Sequence, residues 1–293
     1  MDKETLSNYG WIVICVLVLA VLLALASPFG SFVADAVKST TQGLFDVNQS
    51  ALNATGLINI EDNQFEANSD KVKVSTLDEF KDAIENEESF VLESDIVFEE
   101  SLTISKPTYI DLNGNTLYST GLVIDSDVTF VNGCIESDSK ITGMPSVRVI
   151  AGTTTMKYIT IEVDDPINDA GSYAEYAGIE VVNSNVILEY CHIIVRNEIK
   201  RTNNYTYGVA LNNGTFFMEN GSITIISAGA TRTNLATGIC GINTSDITLK
   251  NIDINAPTVA TAMGSMTFKT NDTSITSDNF VSYGGAYTIN YID

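Results

Sequence analysis

Residues able to do chemistry concentrate in three stretches: VDDPINDAGSYAEYAG (163–178), RNEIKRTNNYTYG (196–208) and SAGATRTNLATG (227–238). They hold Tyr173, Tyr176, Tyr205 and Tyr207, the acids Asp164, Asp165, Asp169 and Glu175, and an Arg-Thr-Asn triplet beginning at Arg201 and again at Arg232. Aromatic faces stack on sugar rings, and guanidinium groups and carboxylates hydrogen-bond to hydroxyls in pairs. The set predicts a glycan-binding surface contacted by Tyr173, Tyr176, Arg201, Tyr205, Tyr207 and Arg232. Glycoside hydrolysis requires two carboxyl groups flanking the scissile bond, and only the weak candidates Asp164 and Asp165 approach that description. His192 is the sole histidine. It sits in an alternating apolar run between Cys191 and Ile193, which points it outward from a strand and not into a site. Asp125, Asp127, Glu136 and Asp138 offer hard oxygen ligands to Ca²⁺, but without the spacing of a calcium loop. No metal site is assigned, no cofactor is expected, and catalysis is not supported.

The elements that must position these stretches are legible from a repeat. Gly178, Gly208 and Gly238 stand thirty residues apart, as do Asn183, Asn213 and Asn243. Each is followed by a short alternating run, Ile187-Leu188, Phe217-Met218 and, with one residue inserted, Ile247-Leu249. Each unit closes on an apolar pair, Ile193/Val195, Ile223/Ile225 or Ile254/Ala256. A period of 20 to 50 residues marks a stacked-repeat architecture, and alternation at every second residue marks strands. One unit cannot bury its own apolar face, so the units must share a core. Asn and Gly at matched places are expected to supply the left-handed conformations of the corners. The pattern extends upstream: FVNGCI (130–135) matches MENGSI (218–223), and Met156–Val163 matches both without the glycine. Insertions fall at one corner, which would stack the three long stretches on one face.

Coils of about thirty residues with Asn-Gly turns and inward aliphatic runs resemble the right-handed parallel β-helix of the pectate-lyase-like superfamily, over residues 72–293. The resemblance implies a single-stranded, right-handed parallel solenoid and no particular activity, because unrelated functions share that fold. Asp164-Asp165 is similar to the acidic pair of polygalacturonases, but the histidine-glycine and arginine-lysine motifs of that family are missing. No strand displays the calcium-holding acids and arginine base of pectate lyases.

Ahead of the coils, VKVSTLDEFKDAIENEESFVL predicts a capping helix. Ser75 or Thr76 is its N-cap, Glu79 closes a capping box, and Leu77, Phe80, Ala83 and Ile84 form an apolar stripe. Such a helix shields the open end of a solenoid from water and from strand addition. At the other end AYTINYID (286–293) reads as a strand with no recognisable cap, where a partner, self-association or a covering strand is expected.

Residues 5–34 carry no charge, and 11–26 (WIVICVLVLAVLLALA) are wholly apolar. With the flanking Tyr9 and Phe29 the run approaches the span of a bilayer core, so residues 9–34 are assigned to a membrane. The stretch 22–42 resembles the N-terminal helix of type IV pilin-like proteins, lacking their processing site and buried glutamate. Retention of 1–45 as an anchor or pilin-like helix is preferred to cleavage after Ala26, where Ala24-Leu25-Ala26 resembles a signal-peptidase site. Residues 46–71 read as a polar linker.

The 37 acidic against 15 basic residues, net −22, exclude nucleic acid as a partner. Of the four cysteines, Cys134, Cys191 and Cys240 follow the leader at unmatched repeat positions and are expected as free thiols. The seven Asn-x-Ser/Thr sequons could carry glycans in an exported chain. The reading is a mainly β protein at the cell surface, anchored by its N-terminal helix. Its expected role is structural or adhesive, with a glycan or neighbouring subunits as partners in a homo-oligomer or filament. The alternatives are a membrane-tethered polysaccharide lyase or glycoside hydrolase, and a filament subunit polymerising through the N-terminal helix.

Overall fold

A computed structural model of the chain describes residues 71–86, 89–138, 145–164, 174–197, 204–227, 235–272, 274–276, 278, 280–282 and 284–292. The membrane-type run and nearly all of the linker lie outside the described residues. Those residues belong to one compact unit, Ala67–Asp293.

Among them the chain is mainly β, with a single helix and two sheets of parallel strands, a larger sheet A and a smaller sheet B, consistent with a β-solenoid. One winding shows the plan. Strand β11 (Ala174–Val182) lies in sheet B, the chain turns at Asn183, and β12 (Asn185–Glu189) enters sheet A. A second bend at Tyr190 leads to β13 (His192–Asn197), after which β14 (Asn204–Asn212) returns to sheet B alongside β11. Ala177 pairs with Tyr207 and Val181 with Leu211, so the thirty-residue period of the sequence is the register of the sheet. Strand β15 (Gly214–Ser227) runs through the second bend unbroken and pairs with both β12 and β13. The residue inserted in the third unit is absorbed at the corner. Gly214 pairs with Ser245, the first residue of β17 (Ser245–Asn255), and register holds from there on.

The core is built of ladders. Phe130, Met156, Leu188, Met218 and Leu249 are register partners across β8 (Val128–Asp138), β10 (Thr153–Asp164), β12, β15 and β17, and all are buried. Ile135, Ile161, Ile193 and Ile223 form a second column. Sheet B answers with Val147, Ile179, Val209 and Ile239. Burial of each such side chain stabilises by about 1.5–3 kcal/mol, so the ladders hold the sheets together. The outward members of the alternating runs, such as Ile187 and Phe217, are half-exposed.

The corners differ from expectation in which residue does what. At the first corner Asn183 and Asn213 take left-handed φ of 50° and 56°. At the second, Asn132, Tyr158, Tyr190, Asn220 and Asn251 stack with φ between 52° and 59°. Asparagine tolerates this region because its short amide bonds locally. In FVNGCI and MENGSI it is therefore Asn, not Gly, that turns the chain. The glycine beside it serves close approach instead: a Cβ on Gly133 would lie 2.4 Å from Leu112 Cβ, and one on Gly221 2.1 Å from the Cys191 carbonyl oxygen. Gly178, Gly208 and Gly238 are not corner residues either. They lie within sheet B strands, where a Cβ would meet Cγ2 of Ile193, Ile223 or Ile254 at 2.3–2.6 Å. The repeated spacing of these three records how closely sheet B approaches sheet A.

Helix α1 (Leu77–Glu85) forms as expected. Thr76 is the N-cap, its side chain accepts from the Glu79 amide, and the Glu79 carboxylate accepts from the Ser75 and Thr76 amides. Phe80, Ala83 and Ile84 are buried, and Phe80 meets Phe90 and Phe98 edge-on at 5.0 and 5.2 Å. The cap thus closes on an aromatic cluster. At the far end Phe280 stacks on Tyr287 and meets Phe268 edge-on, and β21 (Ala286–Tyr291) is the last strand of sheet A.

Candidate functional site

Strand alternation, with one face of sheet A packed into the core, leaves a register of outward side chains on the other. Across β10, β12, β15 and β17 one outward row reads Lys157, Glu189, Glu219, Lys250. Lys157 Nζ lies 2.9 Å from Glu189, whose side chain is only 7% exposed. Glu219, next along, is half-buried, and that burial, with the Glu189 charge beside it, holds its carboxyl above the usual carboxylate range against the pull of Lys250. Next to this row, at the bend, the rings of Tyr158 and Tyr190 stack with centroids 5.2 Å apart. Desolvation is the largest cause pushing the Tyr158 phenol well above its ordinary value, with the neighbouring Tyr190 and Glu189 adding to it. Nothing in the thirty-residue repeat as first read singles out this row. The signal was present in the sequence as matched offsets of 32, 30 and 31 residues between the four charged positions.

Farther along β10 and β13, Arg196 reaches two carboxylates of the preceding winding. Its Nη1 contacts Glu162 and lies 3.2 Å from Asp164 Oδ1. Glu162 and Asp164 are two residues apart on one strand face, so roughly 7 Å separates their positions. Their carboxylates converge on one guanidinium nitrogen, so the space between them is occupied and not left for a sugar. Asp164 is therefore committed to an ion pair. Asp165, its companion in the weak catalytic pair, lies outside the described residues.

His192 is exposed on the outer face of β13, as its alternation predicted, and its Nδ1 lies 2.9 Å from Ser222 Oγ. Asp253 is the register partner of Ser222 on the far side. The order along the row is His, Ser, Asp. Nucleophilic catalysis needs the histidine in the middle, taking the serine proton while the acid orients it. The row lacks that order, so it is a surface hydrogen bond.

The predicted glycan contacts fare unequally. Tyr205 is half-exposed on β14, its ring stacked 6.4 Å from that of Tyr207. Tyr207 itself is 2% exposed and packs with Ala177, Ala210 and Cys240 in an apolar cluster on sheet B, separate from the main core. Its ring is not presented at the surface. Tyr176 lies in β11, its backbone paired with Thr206. Tyr173, Arg201 and Arg232 lie outside the described residues. The structure therefore brings Tyr205 and Tyr207 together and leaves the remainder of the set to sequence.

Of the calcium candidates, Asp127 Oδ1 accepts the Thr153 amide at 2.7 Å and so closes a corner. Asp125 ends β7 (Leu122–Asp125) in sheet B, while Glu136 and Asp138 lie on β8 in sheet A. Among the described residues no three His, Cys, Asp or Glu side chains are grouped to hold a metal. Cys134, Cys191 and Cys240 are free thiols. Burial pushes Cys134 up to about 11 and Cys191 up to about 12, which leaves both protonated and unreactive at neutral pH.

No protein family, curated protein or solved structure matches the chain. The described residues contain no helix long and apolar enough to cross a membrane, and the apolar run 11–26 is not among them.

Proposed function

We propose that this chain is a cell-surface structural or adhesive protein. In this reading the N-terminal helix holds it in the membrane, and a right-handed parallel β-helix of the pectate-lyase-like kind displays a long acidic surface outside. The ligand is a glycan, met by Tyr173, Tyr176, Arg201, Tyr205 and Arg232, the residues whose types in the sequence suit sugar recognition. The observation that carries the reading is the occupation of the outer face of sheet A. Charged groups there pair across neighbouring windings, Lys157 with Glu189 and Arg196 with Glu162 and Asp164. Glu162, Asp164 and Glu189 are thereby held in ion pairs, which supports a scaffold better than a catalyst, since a catalytic carboxyl needs an available proton; Glu219, its carboxyl held above the usual range by burial, is the exception on this face.

Intact cells treated with a non-penetrating protease test the display. Loss of epitopes from residues 72–293 with retention of the chain in the membrane fraction is the expected result, and a fully protected soluble chain overturns it. A polysaccharide panel tests the chemistry. Retention without turnover is expected, reduced by Arg201→Ala and Arg232→Ala. Turnover abolished by Asp164→Asn and Asp165→Asn would make the chain an enzyme.

A further inference from the structure

The last strand of sheet A points to a partner. Ala286 and Ile292 direct their amides to the Gly264 and Thr270 carbonyls on the β19 (Ser265–Thr270) side. Because amide and carbonyl directions alternate along a strand, Tyr287, Ile289 and Tyr291 send theirs to the opposite edge. Among the described residues no strand pairs with that edge. Edges are usually defended by charge, proline or a covering element. The first strand obeys this rule: β1 (Val72–Val74) is flanked by Lys71 and contains Lys73, both ion-paired, and α1 packs beside it. The last strand does not. From Asn279 to Ile292 there is no charged residue and no proline, in a chain whose net charge is −22.

We propose that β21 is a dimerisation edge, pairing antiparallel with β21 of a second copy of this chain about a dyad at Ile289. Two features select a second copy. The strand is self-complementary in that register: Ile289 faces Ile289 of the other copy, Tyr287 faces Tyr291, and Thr288 faces Asn290. The three residues with outward backbone groups all fall in hydrogen-bonded pairs, so both orphan sets are satisfied at once. Charge supplies the second argument. Two chains of net −22 repel over most of their surfaces, and this edge brings them together without opposing carboxylates. Tyr287 and Ile289 already pack partly against the core, and Tyr291 is 53% exposed, its hydroxyl donating to the Ile275 carbonyl. Tyrosine-on-tyrosine contact across the dyad covers that exposed ring. The proposal is independent of the glycan reading.

Hydrogen exchange at residue resolution, on the full chain in a mild non-ionic detergent, tests it. The amides of Tyr287, Ile289 and Tyr291 should gain protection as protein concentration rises, while those of Thr288 and Asn290 stay protected throughout by β19. Fast exchange of the first three at every concentration overturns the proposal, and so does protection independent of concentration, which would mean a cover from within the chain. Sedimentation supplies the second readout. Ile289→Lys should weaken self-association at least about tenfold by setting two cations face to face. The double variant Thr288→Glu/Asn290→Glu changes only exposed side chains off the core, and should do the same with an unaltered melting temperature. Unchanged self-association in that variant overturns the proposed edge.

Discussion

At the second bend, residue after residue adopts a backbone that L side chains resist, and side-chain amides offset the cost. Asn251 Nδ2 donates to Asn220 Oδ1 at 3.1 Å, and Asn271 Nδ2 donates to Asn251 Oδ1 at 2.9 Å. Alanine at 251 would keep the left-handed φ of 52° without either bond. We expect Asn251→Ala to cost about 1–3 kcal/mol and Asn251→Gly clearly less, since glycine removes the steric part and loses only the hydrogen bonds. Denaturant melts of the pair measure the split. Equal losses would locate the cost in the ladder and not in the backbone. Tyr158 and Tyr190 break the asparagine run at the same bend and replace amide bonding with ring stacking. Beside them Glu219 is held above the usual carboxylate range chiefly by burial. A raised carboxyl binds its proton more tightly in the folded chain, so its stabilising contribution is present at low pH and is lost as pH rises through the folded value. Glu219→Gln should therefore raise the melting temperature at neutral pH. The difference should vanish as pH falls through and below the carboxylate range, and a gain that persists in acid would contradict the assignment.

The elements show which parts of a repeat sequence can be read and which cannot. Strand positions, the thirty-residue register, the inward ladders and the capping box of α1 all follow from spacing, because each depends on residues close in sequence or one period apart. The role of the glycines did not follow. A period in Gly178, Gly208 and Gly238 looks the same whether glycine turns a corner or admits a neighbouring layer, and only the contact with Ile193, Ile223 and Ile254 decides it. The distinction has a measurable consequence. At a corner, Gly208→Ala would cost about 1 kcal/mol of backbone strain. In the observed strand its Cβ would sit 2.3 Å from Ile223 Cγ2 and 2.7 Å from the Gly238 carbonyl oxygen, so sheet B must shift. We expect a loss of about 3 kcal/mol, at the upper end for overpacking, not recovered by Ile223→Val, which removes Cδ1 but keeps the clashing Cγ2 methyl. The candidate site was less legible than the frame for a similar reason. Tyr207 belongs to a stretch whose composition reads as an exposed loop, yet it is buried in a second apolar cluster that no local pattern announces. Likewise Asp164 reads as a free acid until Arg196, one winding away, is placed beside it.

For the whole molecule the dominant electrostatic fact is excess. Thirty-seven acids share fifteen bases, and the described ion pairs are short-range: Lys157–Glu189 at 2.9 Å, Arg148–Glu180 at 3.0 Å and Lys71–Asp111 at 3.3 Å. Added salt acts differently on the two. Mobile ions screen over a length of about 10 Å at 0.1 M, which leaves contact pairs nearly intact but removes most of the repulsion between carboxylates spread along the sheets. The unfolded chain, being expanded, already keeps its carboxylates apart and gains less. Sodium chloride should therefore stabilise the fold, and a gain of 1–2 kcal/mol corresponds to a rise of roughly 2–8 °C in melting temperature for a domain of this size. A scan from 20 to about 300 mM NaCl measures it. A falling midpoint would mean that the surface pairs outweigh the excess charge, contrary to the small worth of exposed pairs, about 0–1 kcal/mol each. Calcium chloride at matched ionic strength separates screening from binding. If Asp125, Asp127, Glu136 and Asp138 do not form a site, it should raise the midpoint no further than sodium does, and an additional rise abolished by Asp125→Asn would place a divalent ion there.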